Sequence, residues 1–449
     1  MPLNGPAVDG VLPGVHLGGT HRKHTGNTKS GKNGKKGRER MRIRTVRRAL
    51  VGALATAAVT AGVLTVPASA AAGAGISAGG STGHDPHTAT RAAMEAQVKA
   101  GIPGVLGQTR DGAEVWKASS GVADLTTQRP RRDQDRFRIG SVSKAFVSVV
   151  LLQQEAEGRI DLDDTVDHWL PGTVRGNGHD GRLITVRQLL NHTSGIYNYT
   201  DDPGFREKIT TGFPEHRYDT FTPRQLVRIA TAHEPSFRPG TGWGYSNTNY
   251  ILAGMVVEKV SGRSYPEEIE RRVIKPLGLR ATTLPGTSPR IPGPHGRGYS
   301  KLADTPDAKI YDTTELNPSW GGAAGEIIST AGDLNRFYRA LLGGELLPRA
   351  QQRELLTTVP TGSGAPGGYG LGVSSLRLSC GTDVWLHTGG IHGSTTLATS
   401  SADGRHTSAF NLNGDWTGDL DALVEAEYCG ADARPSGKVA ALTALTDLR

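Results

Sequence analysis

The stretch GSVSKAFVSVVLLQQEAEG, residues 140–158, constrains the fold more than any other part of this sequence. It is typical of a helix, and its apolar residues are too many for a single exposed stripe, so the helix must be buried inside a domain. Lys144 lies near the start of this helix, one turn after Ser141. Because a buried lysine costs free energy unless it is neutral or paired, Lys144 requires a chemical explanation. The apolar residues are Phe146, Val147, Val149, Val150, Leu151 and Leu152.

Ser141 and Lys144 have the residue types and spacing of a nucleophile and its base. At positions i and i+3 their side chains share one face of a helix. A serine hydroxyl is a poor nucleophile until a base removes its proton. Lysine can be that base only if burial or nearby positive charge lowers its pKa from about 10.4 towards neutrality. Ser141 also places its backbone N–H at a helix start, where an oxyanion can bind. A Ser-x-x-Lys pattern arises by chance about once in a chain of this length, so it needs further support.

The first support is Tyr245-Ser246-Asn247, within GWGYSNTNYILAG. A tyrosine hydroxyl near a lysine ammonium can have a lowered pKa and relay protons. The Asn247 amide can hold a substrate carbonyl or the lysine. The purely structural alternative is a loop tyrosine before a helix that has Ser246 or Asn247 as its N-cap.

The second support is His387-Thr388-Gly389, at the end of the predicted strand DVWLHTGG. A glycine there lets a substrate backbone approach the strand edge, and Thr388 offers a hydroxyl to a carboxylate. The next backbone N–H, that of Gly390, can complete an oxyanion hole. The structural alternative is a strand that ends in a glycine turn.

Strand-like runs lie near both ends of the folded part, and helical runs lie between them. This order indicates one mixed α/β sheet built from both termini, with a helical domain inserted. We expect a discontinuous α/β catalytic domain in residues 86–160 and 326–430, and a helical domain in residues 161–325. Hairpin turns are predicted at Asp111-Gly112 and at residues 402–404.

The N-terminal part has the composition of an export sequence. Residues 41–70 combine a cationic start, an apolar run and the small residues ASA, which is typical of a secretory signal peptide cleaved after Ala70. A membrane anchor is the alternative, because the apolar run is almost long enough to span a bilayer. We expect residues 1–40 to be a disordered basic extension or a mis-called start before Met41, and residues 71–85 to be a flexible linker.

The formal net charge of +8 is concentrated before the folded part. Residues 1–40 carry +6 and residues 41–70 carry +4, so the remainder carries −2. This distribution argues against nucleic acid as a partner. We expect a secreted, extracellular monomer that meets the membrane only through its signal peptide, with a tail at 431–449 that has no recognisable anchor motif.

The cysteine content fits export and gives no indication of a metal. Cys380 and Cys429 are the two cysteines of the chain, and in an exported protein we expect them to form a disulfide. His-Glu-x-x-His and paired Cys-x-x-Cys motifs do not occur in the sequence. We therefore predict neither a metal nor another cofactor.

The three motifs occur in the order known from penicillin-recognising serine enzymes. Tyr245 lies 104 residues after Ser141, and His387 lies 142 residues after Tyr245. The runs FRIGSVSKAF, ITVRQLLNHTSGIYNYT, YSNTNYILAGMVVEKVSG and SWGGAAGEIISTAGDL extend the match over about residues 87–430. The sequence resembles the exported D-alanyl-D-alanine carboxypeptidases of actinomycetes, within the beta-lactamase-related serine hydrolases.

The resemblance implies a beta-lactamase/DD-peptidase-like fold: an antiparallel five-stranded sheet flanked by helices, plus an all-helical domain, with the active site between them. It implies Ser141 as nucleophile, Lys144 as its activating partner and Tyr245 as general acid or base. The backbone amides of Ser141 and Gly390 would form the oxyanion hole. Cys380 and Cys429 match cysteines that form a disulfide in close relatives. The substrate-binding residues would be Asn247, Trp320, Arg377, His387, Thr388 and Gly390.

The sequence departs from the family pattern in three places. His387 stands where many beta-lactamases carry lysine, which favours a peptidase or esterase. Arg187 stands where some lactamases carry the glutamate that activates water. The carboxypeptidases grip the substrate carboxylate with an arginine at a position that aligns here with Ser374. Arg377 lies three residues further on, and a single gap in the alignment would give that role to Arg377.

These features favour a secreted serine carboxypeptidase that removes the C-terminal D-Ala of cell-wall peptides and is inhibited by beta-lactams. Its partner would be a peptidoglycan stem peptide or a related D-amino-acid peptide. The alternatives are a beta-lactamase-related esterase, a D-amino-acid peptidase, a class C-like beta-lactamase, or a catalytically dead cell-wall-binding module. The intact motifs argue against the dead module.

Overall fold

The computed structural model describes residues 85–303, 305, 307–362 and 367–434. The predicted basic extension, the signal peptide, nearly all of the linker and most of the C-terminal tail lie outside the described residues. The α-helices are α1 (Thr88–Lys99), α2 (Ser143–Ala156), α3 (Val166–Trp169), α4 (Val186–Leu190), α5 (Pro203–Ile209), α6 (Phe213–His216), α7 (Pro223–Thr231), α8 (Asn247–Ser261), α9 (Tyr265–Ile269), α10 (Lys275–Leu277), α11 (Gly322–Gly325), α12 (Ala331–Leu342), α13 (Arg349–Leu356) and α14 (Leu420–Cys429).

The strands range from two to nine residues in length, and the longest lie near the two ends of the described chain. They are β1 (Gly104–Asp111), β2 (Glu114–Gly121), β3 (Phe137–Arg138), β4 (Arg175–Gly176), β5 (His179–Asp180), β6 (Tyr299–Ser300), β7 (Tyr311–Asp312), β8 (Ile328–Ser329), β9 (Gly367–Tyr369), β10 (Ser374–Arg377), β11 (Asp383–Ile391), β12 (Ser394–Ser401) and β13 (His406–Leu412).

The main sheet joins strands from both ends of the chain, as the strand pattern predicts. Its order is β2-β1-β13-β12-β11-β10-β9, and every pairing is antiparallel. Five long strands form the predicted sheet, and the short strands β10 and β9 extend it to seven. The two predicted hairpins are confirmed: Asp111 pairs with Glu114 across Gly112, whose φ is +55°, and β12 turns into β13 around Gly404, whose φ is +73°.

Strand β11 has partners along its whole length on one side only. Strand β12 pairs with it from Val384 to Ile391, whereas β10 pairs only with residues 383–386. In the described part of the chain, no strand pairs with residues 387–391 on the β10 side. The end of β11 that carries the His-Thr-Gly motif therefore has a free edge, to which an extended substrate can add.

The core lies on both faces of the main sheet. One face packs against α1 and α14 through a cluster that includes Met94, Phe410 and Leu423. The other face packs against the layer that contains α2, in which the rings of Phe146 and Phe337 stack with centroids 3.8 Å apart. Eleven of the 14 residues of α2 are buried, which confirms the central helix expected from residues 140–158.

Between residues 161 and 325 the described chain is mostly short helices and loops, with the two-stranded ladders β4–β5 and β6–β7 among them. The boundaries of the catalytic and helical domains stay predictions. The Cys380–Cys429 disulfide is present, with Cα atoms 5.7 Å apart, and it ties the loop after β10 to the end of α14. None of the described helices is both long and apolar enough to cross a membrane.

Candidate active site

The turn that carries Ser141 packs directly on the backbone of β11. It is a 3₁₀ turn, Gly140–Val142, that runs into α2. Gly140 has φ +51°, and a Cβ there would lie 2.7 Å from the Gly390 oxygen and 2.9 Å from the Gly390 nitrogen. A Cβ on Gly389 would lie 2.0 Å from the Ile139 oxygen. Only glycine fits at these two contacts, and they bring Ser141 beside the Gly390 amide, as an oxyanion hole requires.

Lys144 makes three polar contacts, all 2.8 Å long. Its Nζ reaches the Ser141 hydroxyl, Oδ1 of Asn247 and the backbone oxygen of Ala324. The two carbonyl oxygens can only accept hydrogen bonds. A neutral lysine therefore donates its two N–H bonds to Asn247 and Ala324, and its lone pair is left facing the Ser141 hydroxyl.

The surroundings of Lys144 favour this neutral form. The side chain is fully buried, and burial lowers its pKa well below the usual 10.5. The rings of Tyr245 and Tyr250 lie 4.8 and 5.5 Å from its Nζ. The geometry and the lowered pKa together make Lys144 a competent base for Ser141.

The ring of Tyr245 lies beside Lys144, and the pKa of its hydroxyl is shifted in the opposite direction to that of the lysine. Burial raises the pKa of its hydroxyl well above 10, and the Ser141 side chain opposes that rise. Within the described residues, the hydroxyl lacks a partner at good hydrogen-bond geometry. It is therefore a protonated phenol with a proton to donate. A lowered pKa at one titratable group and a raised pKa at its neighbour are typical of a paired base and acid.

Asn247 begins α8 and is held from two sides. Its backbone N–H donates to Oδ1 of Asn198 at 3.0 Å, and its Nδ2 lies 3.5 Å from the Thr200 hydroxyl. These bonds orient Oδ1 towards Lys144. Ser246 occupies the N-cap position of α8, but its side chain makes no capping bond. The Asn247 side chain therefore binds Lys144, and the Ser246 side chain does not cap the helix.

The sequence analysis missed His192, which supports the Tyr245 turn. His192 has φ +62°, which costs energy for a residue other than glycine. Its Nδ1 accepts from the Ser246 backbone N–H at 3.2 Å and lies 3.1 Å from Nδ2 of Asn249. Its ring lies 4.4 Å from that of Tyr245. Burial lowers its pKa well below 6.5, so it is neutral. In the sequence, the position of His192 before Thr193-Ser194-Gly195 does not by itself indicate that it supports the Tyr245 turn.

His387 is a fully buried, neutral member of β11. Burial and the nearby Lys144 lower its pKa to about 3. Its Nδ1 contacts the Thr388 carbonyl, and its Nε2 lies 3.0 Å from the Tyr369 hydroxyl. With Nδ1–H donating to the carbonyl, Nε2 accepts from Tyr369. His387 therefore brings no positive charge to a substrate, and its contacts orient the strand that carries Thr388 and Gly390.

Two further predicted residues lie at or near the end of β11. The Thr388 hydroxyl is buried and, among the described residues, has no hydrogen-bond partner. Trp320 is buried, with its ring 5.7 Å from that of His392, the residue after β11. Its other ring neighbour is Phe205, and its backbone oxygen accepts from the Tyr199 hydroxyl. Trp320 thus packs beside His392, just past the end of β11.

The structure does not bring Arg377 to this group. It pairs with Asp383 across β10 and β11, with Nη1 3.1 Å from the carboxylate, and both side chains are more than half exposed. Asp383 lies five residues before Thr388, which is about 17 Å along an antiparallel strand. The position nearest His387 on β10 is Ser374, opposite Leu386. Strand register places Arg377 at the wrong end of β11 for the role that the resemblance implies.

Among the described residues, the His, Cys, Asp and Glu side chains form no group of three or more that could hold a metal ion. The fold and site define a serine hydrolase with a Ser-Lys pair, a tyrosine and a free strand edge. The family model described as beta-lactamase matches residues 90–415, and the chain belongs to this family.

The chain is similar to a D-stereospecific amidohydrolase, a D-amino acid amidase and a penicillin-binding protein. A D-stereospecific amidohydrolase from Streptomyces sp. is 56% identical, with a TM-score of 0.74, and the match covers 77% of this chain and 99% of that one. A D-amino acid amidase from Ochrobactrum anthropi, complexed with D-phenylalanine, is 27% identical, with a TM-score of 0.66 and coverage of 76% and 98%. Penicillin-binding protein 4* of Bacillus subtilis (strain 168) is 27% identical over 308 residues, 67% of this chain. The chain spans less than two thirds of the length of its curated relatives, 65% in that case.

Proposed function

We propose that this enzyme hydrolyses amide bonds of D-amino-acid amides and short D-peptides through an acyl-enzyme on Ser141. The observation that carries the proposal is the position of Arg377. A carboxypeptidase must hold a free terminal carboxylate, but Arg377 is paired with Asp383. Asp383 lies about 17 Å along β11 from Thr388. Substrates without that carboxylate do not need the arginine.

The comparisons support the same substrate class. The solved relative that is 56% identical is a D-stereospecific amidohydrolase, and a second relative is a D-amino acid amidase. Both matches cover at least 98% of the relative's chain and about three quarters of this one. At these levels of identity and coverage, a shared D-aminoacyl substrate class is the simplest hypothesis.

In the proposed acylation step, the Ser141 oxygen attacks the substrate carbonyl carbon as its proton passes to Nζ of Lys144. The N–H groups of Ser141 and Gly390 stabilise the resulting oxyanion. The Tyr245 hydroxyl then protonates the leaving nitrogen, the C–N bond breaks, and the amine departs. The Lys144 ammonium returns its proton to the Tyr245 oxygen, so both groups recover their starting states.

Deacylation uses the same groups. Water attacks the Ser141 ester, gives up a proton to the Lys144–Tyr245 pair and receives the acyl group, and the Ser141 oxygen recovers its proton. A beta-lactam also presents a carbonyl to Ser141, but its leaving group stays tethered through the opened ring and obstructs the attacking water. We therefore expect penicillin to form a long-lived acyl-enzyme.

The deciding experiment compares three substrates with purified protein. We expect D-phenylalanine amide to be hydrolysed with a kcat/KM at least about tenfold higher than a diacyl-Lys-D-Ala-D-Ala peptide, the size of one lost charged hydrogen bond. L-phenylalanine amide is the stereochemical control. Faster release of D-Ala from the peptide, or equal rates on the D- and L-amides, would overturn the proposal.

A D-alanyl-D-alanine carboxypeptidase is the second candidate. It is favoured by the match to the Bacillus penicillin-binding protein and by the order of the three motifs. Amidating the peptide's terminal carboxylate separates the two: a carboxypeptidase loses activity on the amidated peptide, whereas a D-aminoacyl amidohydrolase does not. The signal-peptide pattern of residues 41–70 and the disulfide support a proposal that the enzyme is secreted and meets peptides of the cell wall.

A further inference from the structure

A small polar recess lies behind the turn that carries Ser141. It has a volume of 20 Å³ and is bounded by β3, the start of β12 and the end of β13. A water molecule needs roughly 10–15 Å³, so the recess has room for one small guest. Its described lining contains no carboxylate and four arginines: Arg131, Arg136, Arg138 and Arg297.

Arg138 contributes a buried and incompletely paired guanidinium. The residue is 2% exposed. Its Nη2 donates to the Pro289 and Leu316 carbonyls at 2.7 and 3.2 Å. Its Nε and Nη1 have no hydrogen-bond partner among the described residues. Glu326 attracts this guanidinium but does not hydrogen-bond to it among the described contacts, and its carboxylate accepts from the Tyr265 hydroxyl and the Gly286 N–H.

Arg131 is placed in a similar way. It is 4% exposed, its Nη2 donates to Oδ1 of Asn411 at 2.7 Å, and within the described chain its Nε has no partner. Asp135 attracts it, but that carboxylate is held by Arg129 at 3.2 Å. Burial lowers the pKa of Arg131 and of Arg138 to about 10, so both are still charged at neutral pH.

The unmatched groups around the recess are mostly donors. Arg131 offers one N–H, and Arg138 offers its Nε–H and the two hydrogens of Nη1. The other unpartnered atoms of the lining are the Thr313 hydroxyl, which can donate, and Oδ1 of Asn413, which can only accept. A water molecule has equal numbers of hydrogens and lone pairs, so binding it would still leave the recess with more donors than acceptors. An anion only accepts hydrogen bonds, so it would pair with the excess donors and also offset the positive charge of the two arginines.

We propose that this recess is a binding site for a small monovalent anion of chloride size, held between Arg131 and Arg138. A larger cavity of 540 Å³ shares Arg297 and Thr314 with the recess. Its lining combines arginines with the carboxylates of Asp124, Asp312 and Glu315, and Arg297 is paired with Asp124 and Asp312. Among the described residues, the buried guanidiniums with unpartnered N–H groups are therefore those of the recess itself. Nothing in the proposed hydrolytic reaction uses this site.

The site is connected to the catalytic turn through the backbone. The Ser394 hydroxyl donates to the Arg138 carbonyl at 2.7 Å and accepts from Nδ2 of Asn411 at 2.8 Å. Asn411 in turn holds Arg131. Arg138 precedes Ser141 by three residues, and Ser394 begins the strand that pairs with the end of β11. An anion here stabilises the junction between the nucleophile turn and the main sheet.

Diffraction from crystals grown in bromide tests the proposal directly. We expect an anomalous peak within hydrogen-bond distance of both Arg131 and Arg138. Bromide peaks at the protein surface alone, or a water that fills the recess in the presence of bromide, would overturn it.

Stability measurements supply a second test in solution. We expect Tm to rise saturably, by about 2–4 °C, in sodium chloride relative to sodium gluconate at the same ionic strength. Thr313→Val removes a lining hydroxyl and should weaken the apparent chloride affinity severalfold. Thr407→Val is the matched control, because it removes a buried, unpartnered hydroxyl outside the recess.

Thr313→Asp places a carboxylate where the anion would lie. We expect this variant to lose the chloride response and to be at least as stable in gluconate as the unaltered enzyme. An identical chloride response in the Thr313→Val, Thr407→Val and unaltered proteins would contradict the proposal, whether or not the aspartate variant folds.

Discussion

The two ends of strand β11 have opposite characters. At its start, Asp383 pairs with Arg377 in solvent, and both side chains are more than half exposed. At its end, His387 and Thr388 are fully buried, and the backbone of Gly390 touches the turn that carries Ser141. One continuous strand thus joins a surface ion pair to the reacting centre over a few residues.

The difference shows that burial, and not formal charge, determines which groups can do chemistry here. Exposed ion pairs contribute about 0–1 kcal/mol because water screens them. At the buried end, the loss of water shifts the pKa values of Lys144, Tyr245 and His387 far from their ordinary values. Changes at the buried end should therefore have large effects, and changes at the exposed end small ones.

Ser141→Ala should give the largest effect. Removing the nucleophile should lower the hydrolysis of D-phenylalanine amide by about 10⁴-fold or more, since groups that act as a unit are lost together. It should also abolish covalent labelling by penicillin, measured by mass spectrometry. Ser288→Ala, an exposed serine, is the control. A penicillin adduct on any other residue would remove Ser141 from the mechanism.

Tyr245→Phe should follow, with a loss of roughly 10²–10⁴-fold in kcat, the usual contribution of a positioned acid or base. Tyr338→Phe is a matched control, because the Tyr338 hydroxyl is also buried and unpartnered among the described residues but lies outside the site. Because Tyr245 is assigned as the acid, the substitution should lower kcat less for an ester with a good leaving group than for the amide. Near-normal amide turnover would exclude Tyr245.

The third prediction concerns acid. His387 has a folded pKa of about 3, below the unfolded value near 6.5, so the unfolded chain binds the extra proton. Its contribution to stability is complete above pH 6.5 and is lost as pH falls from 6.5 towards 3, at about 1.4 kcal/mol per pH unit. Urea unfolding at pH 5 and pH 7 should show that His387→Gln reduces this slope. An equal reduction by His168→Gln, at an exposed histidine, would contradict the assignment.

The parts of the fold and of the site that depend on local sequence patterns could be predicted from the sequence. The Asp111-Gly112 turn, the strand-like runs near both ends and the apolar run after Lys144 each specify their own structure within a few residues. The Ser-x-x-Lys spacing likewise needs only one helical turn. These features led to the fold class and to the pairing of Ser141 with Lys144, which the structure places 2.8 Å apart.

The remaining features depend on contacts between distant parts of the chain. The Ala324 carbonyl that binds Lys144 is 180 residues away, and a backbone oxygen has no residue type to recognise. The positive φ of His192 is a tertiary constraint. The position of Arg377 depends on the register of β10 against β11, and a shift of one or two residues cannot be read from composition or periodicity.

Tyr369→Phe should have a moderate effect at the buried end. It removes the donor to Nε2 of His387 and leaves a buried acceptor without a partner, which costs about 1–3 kcal/mol. We expect about a tenfold loss in kcat/KM, because the Thr388–Gly390 backbone is less well fixed. Tyr338→Phe again serves as control. A loss of stability with unchanged kcat/KM would show that the bond supports the fold without positioning β11.

Arg377→Ala should have the smallest effect and gives the sharpest test of the contrast along β11. The side chain it removes is 57% exposed, and its Asp383 partner is 60% exposed. We expect the free energy of unfolding to change by less than about 1 kcal/mol. We also expect kcat/KM to stay within about twofold, both for D-phenylalanine amide and for a D-peptide with a free carboxylate, because no substrate contact is lost.

Asp383→Ala breaks the same ion pair from the other side and should have the same small effect. If Arg377→Ala alone lowers activity tenfold or more, and only on the substrate with a free carboxylate, then Arg377 reaches the substrate. The enzyme would then be a carboxypeptidase, and the two ends of β11 would form one binding surface.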